Sequence, residues 1–384
     1  MSEWKKVTLD QMGIISRGRS RHRPRNDARL FGGKYPFIQT GDIGAAGLYI
    51  TKYSQTYNEE GLSQSKLWDK DTLCITIAAN IADTALLAFP ACFPDSVMGF
   101  IPFENIANVK FVKYCFDILQ KDCQQISQGT AQDNLSWEKL STILFPCPPI
   151  EVQNKIATIL SRYDSLIENY QKQIKLLEEA AQRLYKEWFV DLRFPGHEKT
   201  KIVNGVPDGW EKKCVDSIYS IKYGKNLSTK LIEEKGDYPV YGANGVIGFY
   251  RDANCNEQVV LITSRGNGSG DVLMTYHKET FITNNSFIVT PLKEYSYCQL
   301  PFTYQFLKFA NFRNVRTGAA QPQLTNQSIH TVDVILPTKD IIIEFCEKTF
   351  GNNSLIVSLK EQIRHLTEAR DRLPPKLMSG EIEV

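Results

Sequence analysis

The chain repeats itself, and this duplication limits the folds it can adopt more than any other feature of its 384 residues. Residues 165–184 read SLIENYQKQIKLLEEAAQRL and residues 354–373 read SLIVSLKEQIRHLTEARDRL, with ten of the twenty positions identical at an offset of 189. At the same offset GTAQDNLS (129–136) matches GAAQPQLT (318–325). A weaker match pairs Trp4 and Asp10 with Trp210 and Asp216. A fixed internal period indicates two copies of one structural unit, here roughly 1–195 and 196–384.

A long helix with a narrow apolar face is predicted at the end of each copy. Apolar residues recur at spacings of four and three over the 33 residues from Ile156 to Trp188, which is the a/d pattern of a coiled coil. In the second copy Thr349 and Asn352 break the register, Arg370 interrupts the seam, and Pro374 and Pro375 should stop the helix. The seam consists of Ile156, Leu160, Tyr163, Ile167, Tyr170, Ile174, Leu177, Leu184, Ile356, Leu359, Ile363, Leu366 and Leu373.

Because so narrow a stripe needs a partner, we expect the two helices to pair with each other; the alternative is that each packs on its own globular domain. The segments between the helices are short β-rich runs punctuated by Gly, Asn and Pro, such as VVLITSRGNGSGDVLM and TFITNNSFIVTP. They predict two globular domains of mixed α/β structure, each followed by its long helix.

Positive charge is concentrated at one end of the chain. The net charge is only +2, which excludes a globally basic nucleic-acid binder, but the first 30 residues carry eight Lys/Arg against three Asp/Glu. Most of this excess lies in SRGRSRHRPRNDARLFGG (16–33), with Arg17, Arg19, Arg21, Arg23 and Arg25 at alternate positions. Such arginines suit phosphates and guanine edges; the alternative is a mobile, solvated loop.

These features together resemble the specificity (S) subunit of Type I restriction–modification enzymes. The resemblance rests on SRGRSRHRPR with YPFIQTGDIG, on GTAQDNLS and GAAQPQLT, on the helix ending RLYKEWFVD, and on the C-terminal LPPKLMSGEIEV. It implies an α+β fold with two mixed α/β target recognition domains in tandem, at 1–149 and 196–338. They are separated by conserved helical regions at 150–195 and 339–384, whose long helices pair as an antiparallel coiled coil.

The resemblance also implies partners and a target. The target is double-stranded DNA with two different specified blocks separated by unspecified bases. Two methyltransferase (M) subunits, which methylate adenine at N6 with S-adenosylmethionine, and restriction/translocase (R) subunits would assemble on the chain. No cofactor is expected in this chain itself.

Motifs of catalytic and metal sites are missing from the sequence, so we expect a non-catalytic subunit. There is no [DNS]PP[YF] methyltransferase signature, HExxH, GxSxG or P-loop, and the nine cysteines form no CxxC pair. No apolar run approaches the roughly 18–20 residues that span a bilayer. We therefore expect a cytoplasmic protein with no membrane partner and no bound metal.

Residues beyond the arginines are also candidates for DNA contact. They are Gln39, Thr40, Asp42, Lys222, Tyr223, Lys225, Lys230, Asn244, Ser264, Arg265, Asn267 and Arg316. Gln39, Thr40, Asp42 and Asn244 are alternatively turn-forming residues, and residues 264–267 are alternatively a plain hairpin turn. The repeated GTAQ and GAAQ segments are interpreted as structural joints. Trp188 and Phe189 are candidates for partner binding, or for capping the intramolecular coiled coil.

Two other function classes remain open from the residues alone. One is a stand-alone DNA-binding regulator with a coiled coil, although no helix-turn-helix pattern is visible. The other is a protein-binding scaffold that does not contact nucleic acid. DNA binding measured at several salt concentrations distinguishes the regulator from the scaffold. A DNA-binding protein loses affinity steeply as ionic strength rises, whereas a scaffold shows no DNA signal.

Overall fold

A computed structural model describes residues 4–78, 80–127, 135–318 and 322–383 of the chain. They form two compact units, each with mixed sheets and packed helices. Unit 1 comprises Met1–Asn169 and Ile363–Val384, and unit 2 comprises Tyr170–Gln362. The predicted α+β class, with two domains and two long helices, is confirmed.

Unit 1 is built on two larger sheets. Its strands are β1 (Lys6–Val7), β2 (Gly13–Arg17), β3 (Phe31–Phe37), β4 (Tyr49–Ile50), β5 (Gln55–Tyr57), β6 (Leu67–Trp68), β7 (Leu73–Thr76), β8 (Thr84–Leu87), β9 (Ala91–Cys92), β10 (Val97–Pro102) and β11 (Phe145–Pro146). One sheet has the order β2-β10-β7-β8-β4, the other the order β5-β3-β9-β6, and β1 pairs with β11. Strands β7 and β8 are buried along their whole length because LCIT and TALL have apolar or small side chains on both faces. Strand β2 lies at a sheet edge.

Helices cover the sheets of unit 1. They are α1 (Thr40–Gly44), α2 (Glu59–Ser63), α3 (Val109–Ser127), α4 (Trp137–Leu140), the first part of α5 (Ile150–Tyr185) and the last part of α8 (Lys339–Met378). Helix α3 packs against β8 and β11, with Phe111, Val112 and Phe116 buried in the core. The apolar residues of α3 cluster on one face, which is why it can seal a sheet and leave its other face in water.

Unit 2 repeats this plan. Its strands are β12 (Ile202–Val203), β13 (Val206–Pro207), β14 (Glu211–Cys214), β15 (Tyr219–Tyr223), β16 (Tyr238–Gly242), β17 (Gly245–Tyr250), β18 (Val260–Thr263), β19 (Val272–Met274), β20 (Phe281–Ile282), β21 (Ser286–Pro291) and β22 (Asp333–Leu336). Its helices are the last part of α5, α6 (Leu300–Phe309), α7 (Asn326–Ile329) and the first part of α8 (Lys339–Met378). A π-helix (Lys186–Val190) follows α5.

The structural repeat follows the sequence repeat. Helices α5 and α8 begin at Ile150 and Lys339, and strands β10 and β21 begin at Val97 and Ser286, so both pairs are 189 residues apart. The sheet order β15-β21-β18-β19 in unit 2 matches β2-β10-β7-β8 in unit 1. Equivalent positions in the two copies can therefore be compared directly.

The long helices pair antiparallel inside each unit. In unit 1, Ile156 and Leu160 near the start of α5 share a core with Leu373 and Leu377 near the end of α8. In unit 2, Tyr185 at the end of α5 shares a core with Ile342 and Phe345 at the start of α8. All the predicted seam residues are buried or half-buried, whereas Leu166 and Leu176, off the seam, are exposed.

Two details of α8 differ from the sequence prediction. Pro374 and Pro375 do not stop the helix, which continues to Met378. The hydrogen bonds that the prolines lose are offset by burial of Leu377 and Met378 in the core of unit 1. Thr349 does not break the seam either: it is buried, and its hydroxyl donates to the Phe345 carbonyl at 2.8 Å.

An ion pair occupies the break that Arg370 makes in the seam. Arg370 Nη1 lies 3.0 Å from Asp164 Oδ1, and the Tyr114 hydroxyl donates to Asp164 Oδ2 at 2.6 Å. The Asp164 side chain is only 11% exposed, so it needs both donors. The equivalent positions of Asp164 and Arg370 in unit 2 are Asn353 and Ala181, which line a small cavity of about 30 Å³.

Within the described part of the chain, no helix combines the length and the apolar character needed to cross a membrane.

Candidate nucleic-acid interface

The arginine-rich loop leaves the edge strand β2 through a tightly packed glycine. A Cβ atom at Gly18 would lie 2.3 Å from the Pro94 carbonyl oxygen, so a larger residue cannot fit there without movement of the backbone. The Gly18 amide donates to the Val97 carbonyl at 2.8 Å, and the Arg19 amide donates to the Phe93 carbonyl at 3.1 Å. These bonds fix the point at which the loop begins.

The loop after β15 in unit 2 begins in the same way. A Cβ atom at Gly224 would lie 2.3 Å from the Thr283 carbonyl oxygen. The Gly224 amide donates to the Ser286 carbonyl at 3.0 Å, and the Lys225 amide donates to the Ile282 carbonyl at 2.9 Å. Arg19 and Lys225 are therefore equivalent, and each unit presents a cation at the same place.

The loop cations of unit 1 fall into two groups. Arg17, Arg19 and Arg21 are exposed and form no ion pair among the residues that the structure describes. The backbone that carries them is held from both sides, because Gln64 Oε1 accepts from the Arg21 amide at 2.6 Å and the Ser65 hydroxyl donates to the Arg19 carbonyl at 2.8 Å. The first half of the loop thus offers free guanidinium groups on a fixed backbone.

The second half of the loop is neutralised by two carboxylates. Arg25 Nη2 lies 2.7 Å from Asp95 Oδ1, and Arg23 Nη2 lies 3.7 Å from Asp95 Oδ2. Asp27 binds Arg29 at 2.8 Å and His22 at 2.9 Å. Hydrogen bonds from Arg29, and then from His22, hold the pKa of Asp27 well below its usual range.

Lys66 extends the free cationic surface of unit 1. Its ammonium lies 3.5 Å from the centre of the Trp68 ring. The hydroxyl of the neighbouring Ser65 donates to the Arg19 carbonyl at 2.8 Å, which brings residues 66 and 19 close together. Desolvation, and then the charge of Arg19, lower the pKa of Lys66. Sequence reasoning missed Lys66 because no local motif marks it; only the fold brings residues 66 and 19 together.

The cations of the unit 2 loop are exposed but sparser. Lys222, Tyr223 and Lys225 follow one another at the end of β15, and the Tyr223 ring packs 4.2 Å from the Phe287 ring. Lys230 is exposed on the following 3₁₀ helix (Thr229–Leu231). Asn244 is exposed in the turn between β16 and β17. A tyrosine that is packed in this way between lysines is suited to contact with a sugar–phosphate chain.

Residues 39–42 have a structural role. The Gln39 amide donates to Asp42 Oδ2 at 2.9 Å, so Gln39 and Asp42 form a capping box at the start of α1, where Thr40 is the first helical residue. Gln39 Nε2 also donates to Gln55 at 2.6 Å. These contacts support the turn-forming role of Gln39, Thr40 and Asp42.

Changing Asp42 to alanine tests this assignment. Because the capping bond is lost, we expect the free energy of unfolding to fall by about 1 kcal/mol, seen as a small drop in the melting temperature. The salt dependence of DNA binding should stay that of the wild type. A loss of affinity for the target duplex, without a loss on random DNA, would instead place Asp42 at a base edge.

The loop between β18 and β19 is a closed hairpin turn. The Gly270 amide donates to the Thr263 carbonyl at 2.8 Å. Ser264 is 1% exposed and its hydroxyl donates to the Asn284 carbonyl, so the structure does not place it where it could meet DNA. Arg265 and Asn267 are exposed on this turn. Arg316 is half-buried and donates to the Arg313 carbonyl at 2.9 Å.

Trp188 and Phe189 pack inside unit 2. The Phe345 ring lies 6.0 Å from the Trp188 ring and 5.3 Å from the Phe189 ring. The π-helix at Lys186–Val190 turns both rings towards the core. The structure therefore supports a role for these two residues in capping the intramolecular coiled coil, and it does not support an exposed anchor for a partner.

The repeated GTAQDNLS and GAAQPQLT segments lie partly outside the described residues, because the structure does not describe residues 128–134 and 319–321. Their final leucines, Leu135 and Leu324, are buried, and their amides donate to the Ile77 and Ser264 carbonyls.

Comparison with known proteins decides the family. The model of the Type I restriction modification DNA specificity domain matches residues 1–179 and again residues 207–365. The chain belongs to this family. It is a Type I specificity subunit with two DNA recognition domains, as the resemblance predicted.

Individual specificity subunits match over the full length. The chain is 26% identical to the specificity subunit of the Type I restriction enzyme MjaIX of Methanocaldococcus jannaschii, over 100% of this chain and 94% of that protein. It is 22% identical to the HindI specificity subunit of Haemophilus influenzae, with both chains fully covered. The crystal structure of an S subunit from M. genitalium has the same fold, with a TM-score of 0.64, 20% identity and coverage of 97% and 96%.

Proposed function

We propose that this specificity subunit reads a bipartite, asymmetric DNA target, one block with each recognition domain. The observation that carries the proposal is the equivalence of the two loops after β2 and β15, which start from matched glycines and matched hydrogen bonds. The loops differ in sequence, SRGRSRHRPR against IKYGKNLSTK, so the two blocks should differ as well.

Arg17, Arg19, Arg21 and Lys66 are the DNA-contacting groups that we assign to the first domain. Lys222, Tyr223, Lys225 and Lys230 are those of the second, with Asn244, Arg265 and Asn267 as further candidates. Four exposed cations close to one edge strand provide the local positive field that a near-neutral chain needs in order to attract a phosphate backbone.

The partners complete the activity. We propose that two methyltransferase subunits and restriction/translocase subunits assemble on this chain. Methyl transfer from S-adenosylmethionine to adenine N6 would take place in the methyltransferase subunits, and this chain would supply the sequence information. The complex would act in the cytoplasm, where a bacterial or archaeal genome lies.

The test is a methylation map. Co-expression of the chain with the methyltransferase encoded beside it, in a cell without other methylases, should yield N6-methyladenine in one gapped, asymmetric motif on both strands. Deletion of the chain should abolish the mark. If both proteins are soluble and in complex but no motif is methylated, the proposal fails.

A direct titration of the chain with DNA at several salt concentrations then separates the remaining classes. Tight, sequence-specific binding without any methylation would favour the stand-alone regulator. The absence of a salt-dependent DNA signal would favour the protein-binding scaffold.

A further inference from the structure

We propose that Asp95 is an intramolecular competitor for DNA phosphate, which holds Arg23 and Arg25 away from nonspecific DNA and so raises the specificity of the first domain. This inference rests on the proposed DNA-reading function and goes beyond it. It concerns the half of the arginine loop that the proposed interface leaves unused.

The geometry around Asp95 is that of an occupied anion site. Arg25 Nη2 donates to Asp95 Oδ2 at 2.8 Å and lies 2.7 Å from Oδ1. Arg23 approaches the same carboxylate at 3.7 Å, and its Nη1 is fixed by the carbonyls of Ser20 and His22 at 2.7 and 2.8 Å. A carboxylate that faces two guanidinium groups presents the charge and the acceptor oxygens that a phosphate would present.

The second copy has no carboxylate at this place. Asn284 is the equivalent of Asp95 at the repeat offset of 189, and it follows Ile282 and Thr283 as Asp95 follows Phe93 and Pro94. The loop that it faces begins with Lys225 and has no arginine run. A carboxylate therefore occurs in the copy whose loop is rich in arginine, and an amide in the copy whose loop is not.

Exposure makes the Asp95 pair exchangeable. The side chains of Asp95, Arg25 and Arg23 are 36%, 50% and 56% exposed, so solvent screens the attraction and the pair adds little to the stability of the fold. An arginine that moves from Asp95 to a phosphate gains one ionic contact and loses another. Random DNA therefore recruits these two arginines poorly, whereas a target that fixes the loop through base contacts supplies additional free energy for the exchange.

The experiment compares binding of the full chain to a random-sequence duplex for Asp95→Asn, Asp95→Glu and Asp122→Asn. Asp122 is exposed on α3 and forms no ion pair among the described residues, so D122N is matched in charge. D95N should bind about tenfold more tightly and steepen the slope of log K against log salt by about one to two, since up to two more phosphates are neutralised. D122N should change affinity less than about twofold, D95E should stay near the wild type, and adding R23Q/R25Q to D95N should abolish the gain.

Two results would overturn the proposal. One is a D95N protein that binds random DNA no better than D122N. The other comes from the wild type alone: chemical modification of arginines, followed by mass spectrometry, should find Arg25 less reactive than Arg21, and equal reactivity would show that Asp95 does not hold it. A wild-type chain without any salt-dependent DNA binding would instead refute the proposed function.

Discussion

Simultaneous replacement of Arg17, Arg19 and Arg21 by glutamine should lower the affinity for the DNA target about 10²–10³-fold at physiological salt. These three guanidinium groups are exposed, unpaired within the described residues, and carried on a backbone that Gln64, Ser65 and Phe93 hold in place. Because each phosphate contact contributes about 0.9 to the salt slope, the slope should become shallower by about three if all three bind phosphates.

Fluorescence anisotropy at several KCl concentrations measures both quantities. The matched control is Lys121→Gln with Lys155→Gln and Arg162→Gln, three exposed cations on α3 and α5 of the same unit. This control removes the same formal charge and should change affinity by less than about threefold. An equal loss in both triple variants would mean that net charge, and not the loop, attracts the DNA.

Single substitutions divide the loop arginines by role. An arginine that reads a guanine edge should lose binding to the target selectively, by about 1–3 kcal/mol, whereas one that binds a phosphate should weaken all duplexes alike. R17Q, R19Q and R21Q, each measured on target and random DNA, make this distinction.

The periodic and repeated parts of the structure could be predicted from the sequence. The seam residues lie on the inner face of α5 and α8 because a 3.5-residue period permits only one buried stripe on a helix. The repeat offset of 189 is reproduced by the starts of the helices and by β10 and β21. Both signals are local or internal to the sequence, and no knowledge of long-range contacts is needed to read them.

The ion pairs of Asp95 and Asp164 could not be predicted, because their members are far apart in the chain. Arg25 and Asp95 are separated by 70 residues, and Arg370 and Asp164 by 206. From the sequence, the five loop arginines were equivalent candidates; the structure separates Arg23 and Arg25, which a carboxylate neutralises, from Arg17, Arg19 and Arg21. Short polar residues such as Asp42 and Ser264 suit base edges and turns equally, and only their hydrogen-bond partners show which role they take.

Removal of the carboxylate of Asp164 should destabilise unit 1 by about 2 kcal/mol. Asp164→Ala leaves the buried Tyr114 hydroxyl without its acceptor and leaves Arg370 without its partner in the seam. This loss is smaller than that of a fully buried pair, because the Arg370 side chain is 31% exposed and water screens its charge. For a unit of this size, the melting temperature should fall by about 4–8 °C.

Asp371 provides the matched control, because it contacts the same guanidinium from the solvent side. Arg370 Nη2 lies 2.8 Å from Asp371 Oδ1, but the Asp371 side chain is 60% exposed, so Asp371→Ala should shift the melting temperature only slightly. If D164A and D371A lowered the melting temperature equally, the burial of Asp164 would not be the reason for its contribution to stability.

Combining D164A with Arg370→Ala should cost less than the sum of the two single substitutions, by about 1–2 kcal/mol, because the second change removes a charge whose buried partner the first has already removed. Exchange of the two side chains, in D164R/R370D, should recover part of the loss only if pairing across the two helices is the source of the stability. If the effects of D164A and R370A were strictly additive, and D164R/R370D recovered no stability, Asp164 would act through Tyr114 alone. The Tyr114→Phe variant measures that contribution separately, because phenylalanine keeps the buried ring and removes only the donor to Asp164.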